Sequence, residues 1–252
     1  MKQKMKKVLP VLLALSMLFS LVACDGSTGE TGDGWQLRRE KLTQEEMDQP
    51  PPEDQLITLD TACGQIQGIQ QDGYREFRGV RYATAERWEQ AQPVESWDGV
   101  YDATTWGDGS CQYFGFYHMA DSTVSQFYMD EAIASAPIQY SEDSLNLNIW
   151  TPAEAGPESK LPVLFWIHGG AFMHGCSSEK EFDGEGFARK GVILVSVNYR
   201  VNAFGFFAHP DLEAENEERV SGNYGILDQI FALQWVQQNI AAFGGDPAKV
   251  TI

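Results

Sequence analysis

Basic side chains are scarce in this sequence, and they are unevenly placed. The 252 residues hold 18 Lys and Arg against 36 Asp and Glu, which gives a formal charge of −18. Four of the lysines lie in the first 23 residues, so the remainder carries 14 basic and 36 acidic side chains, a charge of −22. Nucleic-acid binding needs a basic surface, so this charge excludes it. The hydrophobic content of 43% and the aromatic content of 12% are typical of a globular chain.

The sequence has no internal repeat of fixed period and no apolar run of the length that a membrane span needs. Its longest apolar run, Val8–Val22, follows a basic segment at Lys2–Lys7 and is followed by Ala23 and Cys24. This pattern resembles a bacterial lipoprotein signal, in which the cysteine thiol receives the lipid. The resemblance implies a signal peptide over residues 1–23, lipidation of Cys24 and an exported protein anchored to a membrane. The alternative is an ordinary secretion signal in which Cys24 is incidental.

Residues 24–53 have the composition of a linker. They are rich in Gly, Thr, Asp and Glu, and three consecutive prolines, Pro50 to Pro52, lie near their end. Such a stretch cannot bury enough apolar surface to fold, and the prolines favour an extended spacer. We therefore predict a disordered linker that precedes a folded body over residues 54–252.

Cysteine is rare in the predicted body, where only Cys63, Cys111 and Cys176 occur. An odd number of thiols in an oxidising compartment leaves at least one unpaired or bonded elsewhere. The sequence contains no C-x-x-C pair and no spacing typical of zinc ligands, so we expect no metal site.

Apolar patterns in the body indicate an α/β protein. Two runs, Pro162–Ile167 and Val192–Val197, are apolar almost throughout and predict strands buried on both faces, as in a parallel sheet. Leu145–Trp150 alternates between apolar and polar residues, which predicts a strand with one polar face. Gly225–Phe243 has the helical period and is followed by Gly244. We place Ile226, Ile230, Leu233, Val236, Gln237 and Ile240 on one face of that helix.

Several blocks follow one another in an order that is specific when taken together. They are Glu142 to Pro152, His168 to Phe172, Asn198 to Arg200, Phe204 to Phe206, Gly222 to Gln229 and Trp235 to Pro247. Together they resemble the N-terminal half of a type-B carboxylesterase, the cholinesterase-like branch of the α/β-hydrolases, over Ile57–Ile252. The resemblance implies an α/β-hydrolase fold, with a mostly parallel central sheet flanked by helices.

The block that begins at His168 suits the chemistry of ester hydrolysis. Backbone N–H groups of a Gly-rich turn after a strand can stabilise a tetrahedral oxyanion, because no side chain blocks the approach. The resemblance implies that Gly170 and Ala171 donate these N–H groups and that Gly169 sets the turn. Ala171 stands where the family has a third Gly. A methyl group costs little if φ stays negative there, so we expect a narrower pocket and no loss of function. In the family His168 positions the turn, so we reject it as the catalytic base.

The sequence has no G-x-S-x-G pentapeptide, which carries the nucleophile of α/β-hydrolases. In the family this motif follows the strand that Lys249–Ile252 begins, so we expect the serine, the acid and the histidine beyond Ile252. We predict a serine-type carboxylic ester hydrolase that acts on a small-molecule ester without a cofactor, here as an inactive N-terminal fragment truncated just before the nucleophile elbow. The main alternative is a non-catalytic cholinesterase-like binding or adhesion protein. A substrate-binding lipoprotein would explain the anchor but not the Gly-rich turn.

The resemblance to the family leads to two further expectations. The family has a cysteine where Ser144 stands, paired with one that matches Cys111, so this chain cannot close that loop with a disulfide. The aromatic residues between these positions suit core packing or the wall of a gorge for an apolar substrate. The resemblance also implies an ion pair between Arg87 and Glu142, which we expect to be partly buried.

Overall fold

The computed structural model of the chain describes residues 49–112, 139–179, 182–215 and 221–252. The predicted signal peptide, Cys24 and the linker up to residue 48 lie outside these ranges. So do most of the aromatic residues between Cys111 and Ser144. In the described ranges, no helix combines the length and the apolar character that crossing a membrane requires.

The described ranges hold twelve strands and four α-helices. The strands are β1 (Leu56–Thr61), β2 (Gly64–Gln71), β3 (Tyr74–Arg81), β4 (Ala83–Thr84), β5 (Gln92–Pro93), β6 (Val100–Asp102), β7 (Gly109–Ser110), β8 (Tyr140–Ser141), β9 (Asn146–Pro152), β10 (Leu161–Ile167), β11 (Ile193–Val197) and β12 (Gly245–Thr251). The helices are α1 (Glu185–Ala188), α2 (Asn202–Phe206), α3 (Pro210–Glu215) and α4 (Tyr224–Asn239). Short 3₁₀ turns occupy Glu53–Gln55 and Ile240–Phe243.

The main sheet is mixed rather than mostly parallel. Its order is β1-β2-β3-β9-β11-β10-β12, and β6 pairs with β2. The pairs from β1 to β11 along this order are antiparallel, whereas β11–β10, β10–β12 and β2–β6 are parallel. The expectation of a mostly parallel sheet is therefore wrong for the described part. Two-residue connections from β1 to β2 and from β2 to β3 leave room only for hairpins, and hairpins are antiparallel.

Burial agrees with the apolar patterns at β11 and only in part at β10. All five residues of β11 are buried, as predicted. In β10, Trp166 is 40% exposed, so that strand is open on one face. The polar residues of β9 are buried as well, so its polar face does not point to solvent.

Hydrogen bonds within a buried polar cluster explain how β9 tolerates the burial of its polar residues. Asn198 donates through Nδ2 to Asn146 Oδ1 at 3.0 Å and accepts from the Ser177 backbone N–H at 2.8 Å. Asn148 Nδ2 lies 3.0 Å from Ser177 Oγ, and Ser196 Oγ donates to the Ser177 carbonyl at 2.8 Å. We call Asn146, Asn148, Ser196 and Asn198 the asparagine ladder. It satisfies polar groups that would otherwise be costly to bury.

Helix α4 forms as predicted, and its buried face agrees with the predicted one in part. The helix continues as the 3₁₀ turn and ends at Gly244, where φ is +90°. Val236 and Ile240 are fully buried as predicted, whereas Ile230 is 45% exposed and Gln237 is also exposed. The buried side also includes residues that we did not place there, namely Asp228, Ala232, Trp235 and Asn239. The polar residues among these carry no apolar signal, so the sequence pattern could not place them on the buried face.

Candidate active site

The candidate site lies where β10 and β11 end. These strands are parallel neighbours in register, with Ile167 opposite Val197, so both reach the same edge of the sheet at their carboxyl ends. The segment after β10 is the Gly-rich turn His168–Met173, and the segment after β11 is Asn198–Asn202. Ligands of α/β sheets bind at this edge. The two segments that the sequence singled out therefore meet side by side.

The backbone of the turn is in an unusual conformation. The φ angles are +110° at Gly170, +54° at Ala171 and +62° at Phe172, so the negative φ that would make a methyl group at Ala171 cheap is not found. Such conformations cost non-Gly residues about 1–3 kcal/mol each and persist only where the surroundings hold them. Two hydrogen bonds hold the turn in this conformation. The Gly170 carbonyl accepts from Met173 N at 2.9 Å, and the Phe172 carbonyl accepts from Asn202 N at 2.6 Å.

Two glycines of this region are sterically required, and Gly169 is not one of them. A Cβ at Gly170 would lie 1.9 Å from the His174 carbonyl oxygen, and one at Gly175 (φ +117°) would lie 2.3 Å from His168 Nδ1. A Cβ at Gly169 would meet no heavy atom within 4 Å, and φ there is not in the left-handed region. The conformation of the turn therefore depends on Gly170, whereas a methyl group at Gly169 would enter open space.

The turn presents a row of backbone donors. Among the described residues, nothing accepts a hydrogen bond from the N–H groups of Gly169, Gly170 and Ala171. The carbonyls of Gly169 and Gly170 are held from within the turn, by His168 Nδ1 at 2.8 Å and by Met173 N at 2.9 Å. A trans peptide group points its N–H away from its carbonyl, so the adjoining N–H groups are directed elsewhere. Fixed donors of this kind can stabilise an oxygen that becomes negative during a reaction.

His168 has the environment of a structural residue rather than of a base. It is 3% exposed, and burial lowers its pKa to about 4, so the ring is neutral at pH 7. The Gly169 carbonyl can only accept a hydrogen bond, so Nδ1 carries the proton. Nε2 is buried and has no hydrogen-bond partner in the described part of the chain. This geometry agrees with a role in holding the turn.

A buried ion pair that the sequence analysis did not infer supports the segment after β11. Arg200 contacts Asp228 of α4 through Nε at 2.8 Å and Nη2 at 2.7 Å, and its backbone N–H donates to the same carboxylate. Burial raises the pKa of Asp228, which the arginine opposes. Arg200 Nη1 also donates to the carbonyls of Glu86 and Glu89. Arg200 and Asp228 both lie in the sequence blocks that carry the family resemblance, but no feature of the sequence indicated that they pair.

The pair that the sequence analysis did expect is exposed. Arg87 contacts Glu142 through Nη2 and through Nε at 2.8 Å, and this contact lowers the pKa of Glu142. The two side chains are 53% and 39% exposed, so the expected partial burial is wrong. Their contact joins the segment after β4 to the segment after β8. Exposed pairs contribute little to stability, so this one orients a loop rather than holding the fold.

Cys63, Cys111 and Cys176 are free cysteines. The last two residues of the turn, Phe172 and Met173, are exposed, and the Phe172 ring lies 4.9 Å from that of Phe206. Within the described ranges, no group of three His, Cys, Asp or Glu side chains could hold a metal ion.

Comparison with known proteins agrees with this geometry. The model of the carboxylesterase family matches residues 55–252. The chain is 39% identical to para-nitrobenzyl esterase of Bacillus subtilis over 203 residues, which cover 79% of this chain and 37% of that enzyme. It is 36% identical to fumonisin B1 esterase of Sphingopyxis macrogoltabida over 204 residues, which cover 79% of this chain and 35% of that protein.

Solved esterase structures are similar as well. The carboxylesterase Est55 of Geobacillus stearothermophilus matches with a TM-score of 0.63 and 40% identity, over 77% of this chain and 36% of that one. An esterase of Clostridium hathewayi that can hydrolyse aliphatic aromatic polyesters matches with a TM-score of 0.66 and 37% identity, over 79% of this chain and 38% of that one. The chain thus spans about a third of the length of the curated relatives it matches. On the extent of the family match and these similarities, the chain belongs to the carboxylesterase family.

Proposed function

We propose that the polypeptide carrying these residues is a serine-type carboxylic ester hydrolase. Gly170 and Ala171, on the turn that contains Gly169, supply the half of its oxyanion hole that lies in this chain. The observation that carries this proposal is the row of three backbone N–H groups without an acceptor among the described residues, on a turn whose carbonyls are held. In the reaction a serine Oγ attacks the ester carbonyl carbon, and the carbonyl oxygen becomes an oxyanion. One such donor contributes about 2.7–4 kcal/mol to catalysis.

The sheet register supports a nucleophile next to the oxyanion turn. β12 is parallel to β10, with Thr251 opposite Leu164, so both strands run toward the same edge. A strand-to-helix turn that continued from β12 would emerge beside the oxyanion turn. These 252 residues contain no G-x-S-x-G motif, so this chain by itself supplies half of the oxyanion hole and no triad. The fold that we propose for the whole protein is the α/β-hydrolase fold, in which the elbow occupies that place.

A small-molecule carboxylic ester is the proposed substrate. The relatives named above act on a fumonisin ester and a para-nitrobenzyl ester, and both names describe ester hydrolysis. The triad chemistry needs no cofactor, because the serine, the histidine and the oxyanion donors carry out acyl transfer to water.

The test begins with the reading frame that encodes these residues. We expect a Gly-x-Ser-x-Gly codon series soon after codon 252 and turnover of p-nitrophenyl acetate by the whole polypeptide. The 252-residue chain should show no turnover above background, because removing a triad leaves only a small residual rate. A stop codon or a substituted serine, with no turnover of a panel of esters, would favour the non-catalytic binding or adhesion protein. Turnover at enzymatic rates by the 252-residue chain would show that the nucleophile has been misplaced.

We further propose that the protein is exported and held at a membrane by lipid on Cys24, after removal of residues 1–23. The basic segment, the apolar run and the position of the cysteine support this. Replacing Cys24 with Ala should move the protein from the membrane fraction to the soluble fraction. Cys111→Ala is the matched control, because it removes a thiol outside the signal. Normal processing of the Cys24 variant with continued membrane association would contradict the lipid anchor.

A further inference from the structure

Phe172 directly follows the proposed donors Gly170 and Ala171, and its backbone is strained. Its φ is +62°, a conformation that a bulky residue adopts only where the surroundings impose it. The Phe172 carbonyl accepts from Asn202 N at 2.6 Å, so the segment after β11 holds the residue in this conformation. The fold therefore keeps an aromatic residue in an unfavourable conformation at the end of the oxyanion turn.

Burial of the side chain does not offset this strain. The Phe172 ring is 49% exposed, whereas the core rings of Phe77 and Phe165 are at most 1% exposed. A half-exposed ring gains only part of the free energy that a buried ring gains. Phe207, directly after α2, is 39% exposed, but its φ of −73° is unstrained. Strain and exposure coincide at Phe172, and strained residues cluster at functional sites.

The Phe172 ring is supported by Phe206, the last residue of α2. Their ring centroids lie 4.9 Å apart, and their planes are tilted by 41°. Phe206 in turn packs closely on the buried Gly225 of α4, where a Cβ would lie 2.8 Å from the Phe206 ring. One part of the Phe172 ring therefore rests on a fixed aromatic neighbour, and the rest of the ring is open to solvent.

The open part of this ring lies within reach of an ester that uses the donors. An oxyanion lies about 2.7–3.1 Å from its donor nitrogens, and successive Cα atoms are about 3.8 Å apart. The groups attached to the reacting carbonyl carbon therefore lie close to Phe172, at the edge of the sheet where ligands bind. A flat apolar group suits the ring, because aromatic pairs attract one another with centroids about 4.5–7 Å apart.

We propose that Phe172 determines substrate specificity, because its ring contacts an aryl group attached to the reacting carbonyl of the ester. This proposal rests on the proposed function. Binding of the aryl group removes from water the part of the ring that the fold leaves exposed, which favours aryl esters over small aliphatic ones. An aryl group in the acyl part and one in the alcohol part present the same flat apolar surface, so the test uses an ester of each kind.

The test uses Phe172→Gly, which removes the ring and allows a positive φ without strain. The matched control is Phe207→Gly, which removes a half-exposed ring of the same kind from an unstrained position, where it packs 5.2 Å from the Trp88 ring. Both variants are made in the whole reading frame. Each is compared with the parent on ethyl acetate, ethyl benzoate and benzyl acetate, which carry no aryl group, an aryl acyl group and an aryl alcohol group.

We expect Phe172→Gly to lower kcat/KM for one or both aryl esters about three- to tenfold relative to ethyl acetate, the size of one aromatic contact. A loosened turn lowers the rate for all three esters alike, so this ratio isolates the contribution of the ring. The aryl ester that responds identifies the part of the substrate that Phe172 contacts. Phe207→Gly should leave the ratios unchanged within about twofold. The unfolding midpoint should stay the same or rise in Phe172→Gly and fall in Phe207→Gly.

Unchanged ratios in Phe172→Gly, or equal changes in the two variants, would overturn the proposal. A fall in the unfolding midpoint as large as that of Phe207→Gly would also overturn it, because the ring would then serve stability. If the parent hydrolyses no ester, the proposed function fails. Nuclear Overhauser contacts between benzyl alcohol and the Phe172 ring of the parent then decide whether this ring receives an aryl group, and their absence would overturn that part as well.

Discussion

Two adjacent glycines of the oxyanion turn should respond in opposite ways to the same added methyl group. At Gly170 the methyl carbon would lie 1.9 Å from the His174 carbonyl oxygen, and φ is +110°, outside the region that L residues adopt. Backbone strain of about 1–3 kcal/mol and overpacking of about 1–3 kcal/mol then add, so Gly170→Ala should lower the free energy of unfolding by about 2–6 kcal/mol. At Gly169 the methyl would enter open space. Gly169→Ala should change stability by less than about 1 kcal/mol, and a gain is expected because alanine restricts the unfolded chain.

The assay is denaturant unfolding of the whole polypeptide, followed by fluorescence of its tryptophans, together with turnover of p-nitrophenyl acetate. Gly169→Ala should stay folded and lose activity, because its methyl group occupies the space in front of the donors. Gly170→Ala should lose stability and activity together. The reasoning would be refuted if both variants shifted the unfolding midpoint equally, or if Gly169→Ala kept full activity.

Further predictions concern charge and pH. Asp228→Asn should destabilise the protein by about 3–5 kcal/mol, because it leaves Arg200 buried without its charge partner, and the double variant Arg200→Met with Asp228→Leu should lose less than the single variant. Arg87→Ala, which breaks an exposed pair, should move the unfolding midpoint far less than Asp228→Asn does. The pKa of His168 is lowered from about 6.5 in the unfolded chain to about 4 in the fold. The unfolded chain therefore binds more protons between these values, so stability is complete above about pH 6.5 and falls by up to about 3 kcal/mol as the pH drops to 4. His168→Gln should flatten that slope in unfolding curves measured from pH 7 to pH 4, and an unchanged slope would contradict the prediction.

The order of the motifs along the chain predicted where the oxyanion turn lies, because a Gly-Gly pair directly after an apolar strand has few structural uses. The strand lengths and the helix over Tyr224–Asn239 also followed from periodicity. Strand direction followed only in part. β10 and β11 are parallel, as predicted, but a strand buried on both faces has the same apolar pattern in a parallel and in an antiparallel pair. β9 is an example: it lies between β3 and β11 and is antiparallel to both.

The conformation of Ala171 was beyond prediction for a different reason. Alanine prefers a negative φ, and the local sequence gives no sign that +54° is needed. The residues that hold the turn include one distant in sequence, Asn202, whose N–H donates to the Phe172 carbonyl. The exposure of the Arg87–Glu142 pair was missed similarly, because residue types indicate pairing but not how much solvent reaches the pair.

The asparagine ladder also bears on how the chain avoids misfolding. A strand with Leu147 and Ile149 on one face and asparagines on the other would invert both faces if its pairing slipped by one residue. Such a slip would place the amides against the apolar core and leave Ser177 and Asn198 without their partners. The native pairings of β9 also join residues about 70 positions apart at β3, and such non-local pairings generally form slowly. The buried amides therefore favour the native register of β9, because a shifted pairing would leave polar groups buried without hydrogen-bond partners.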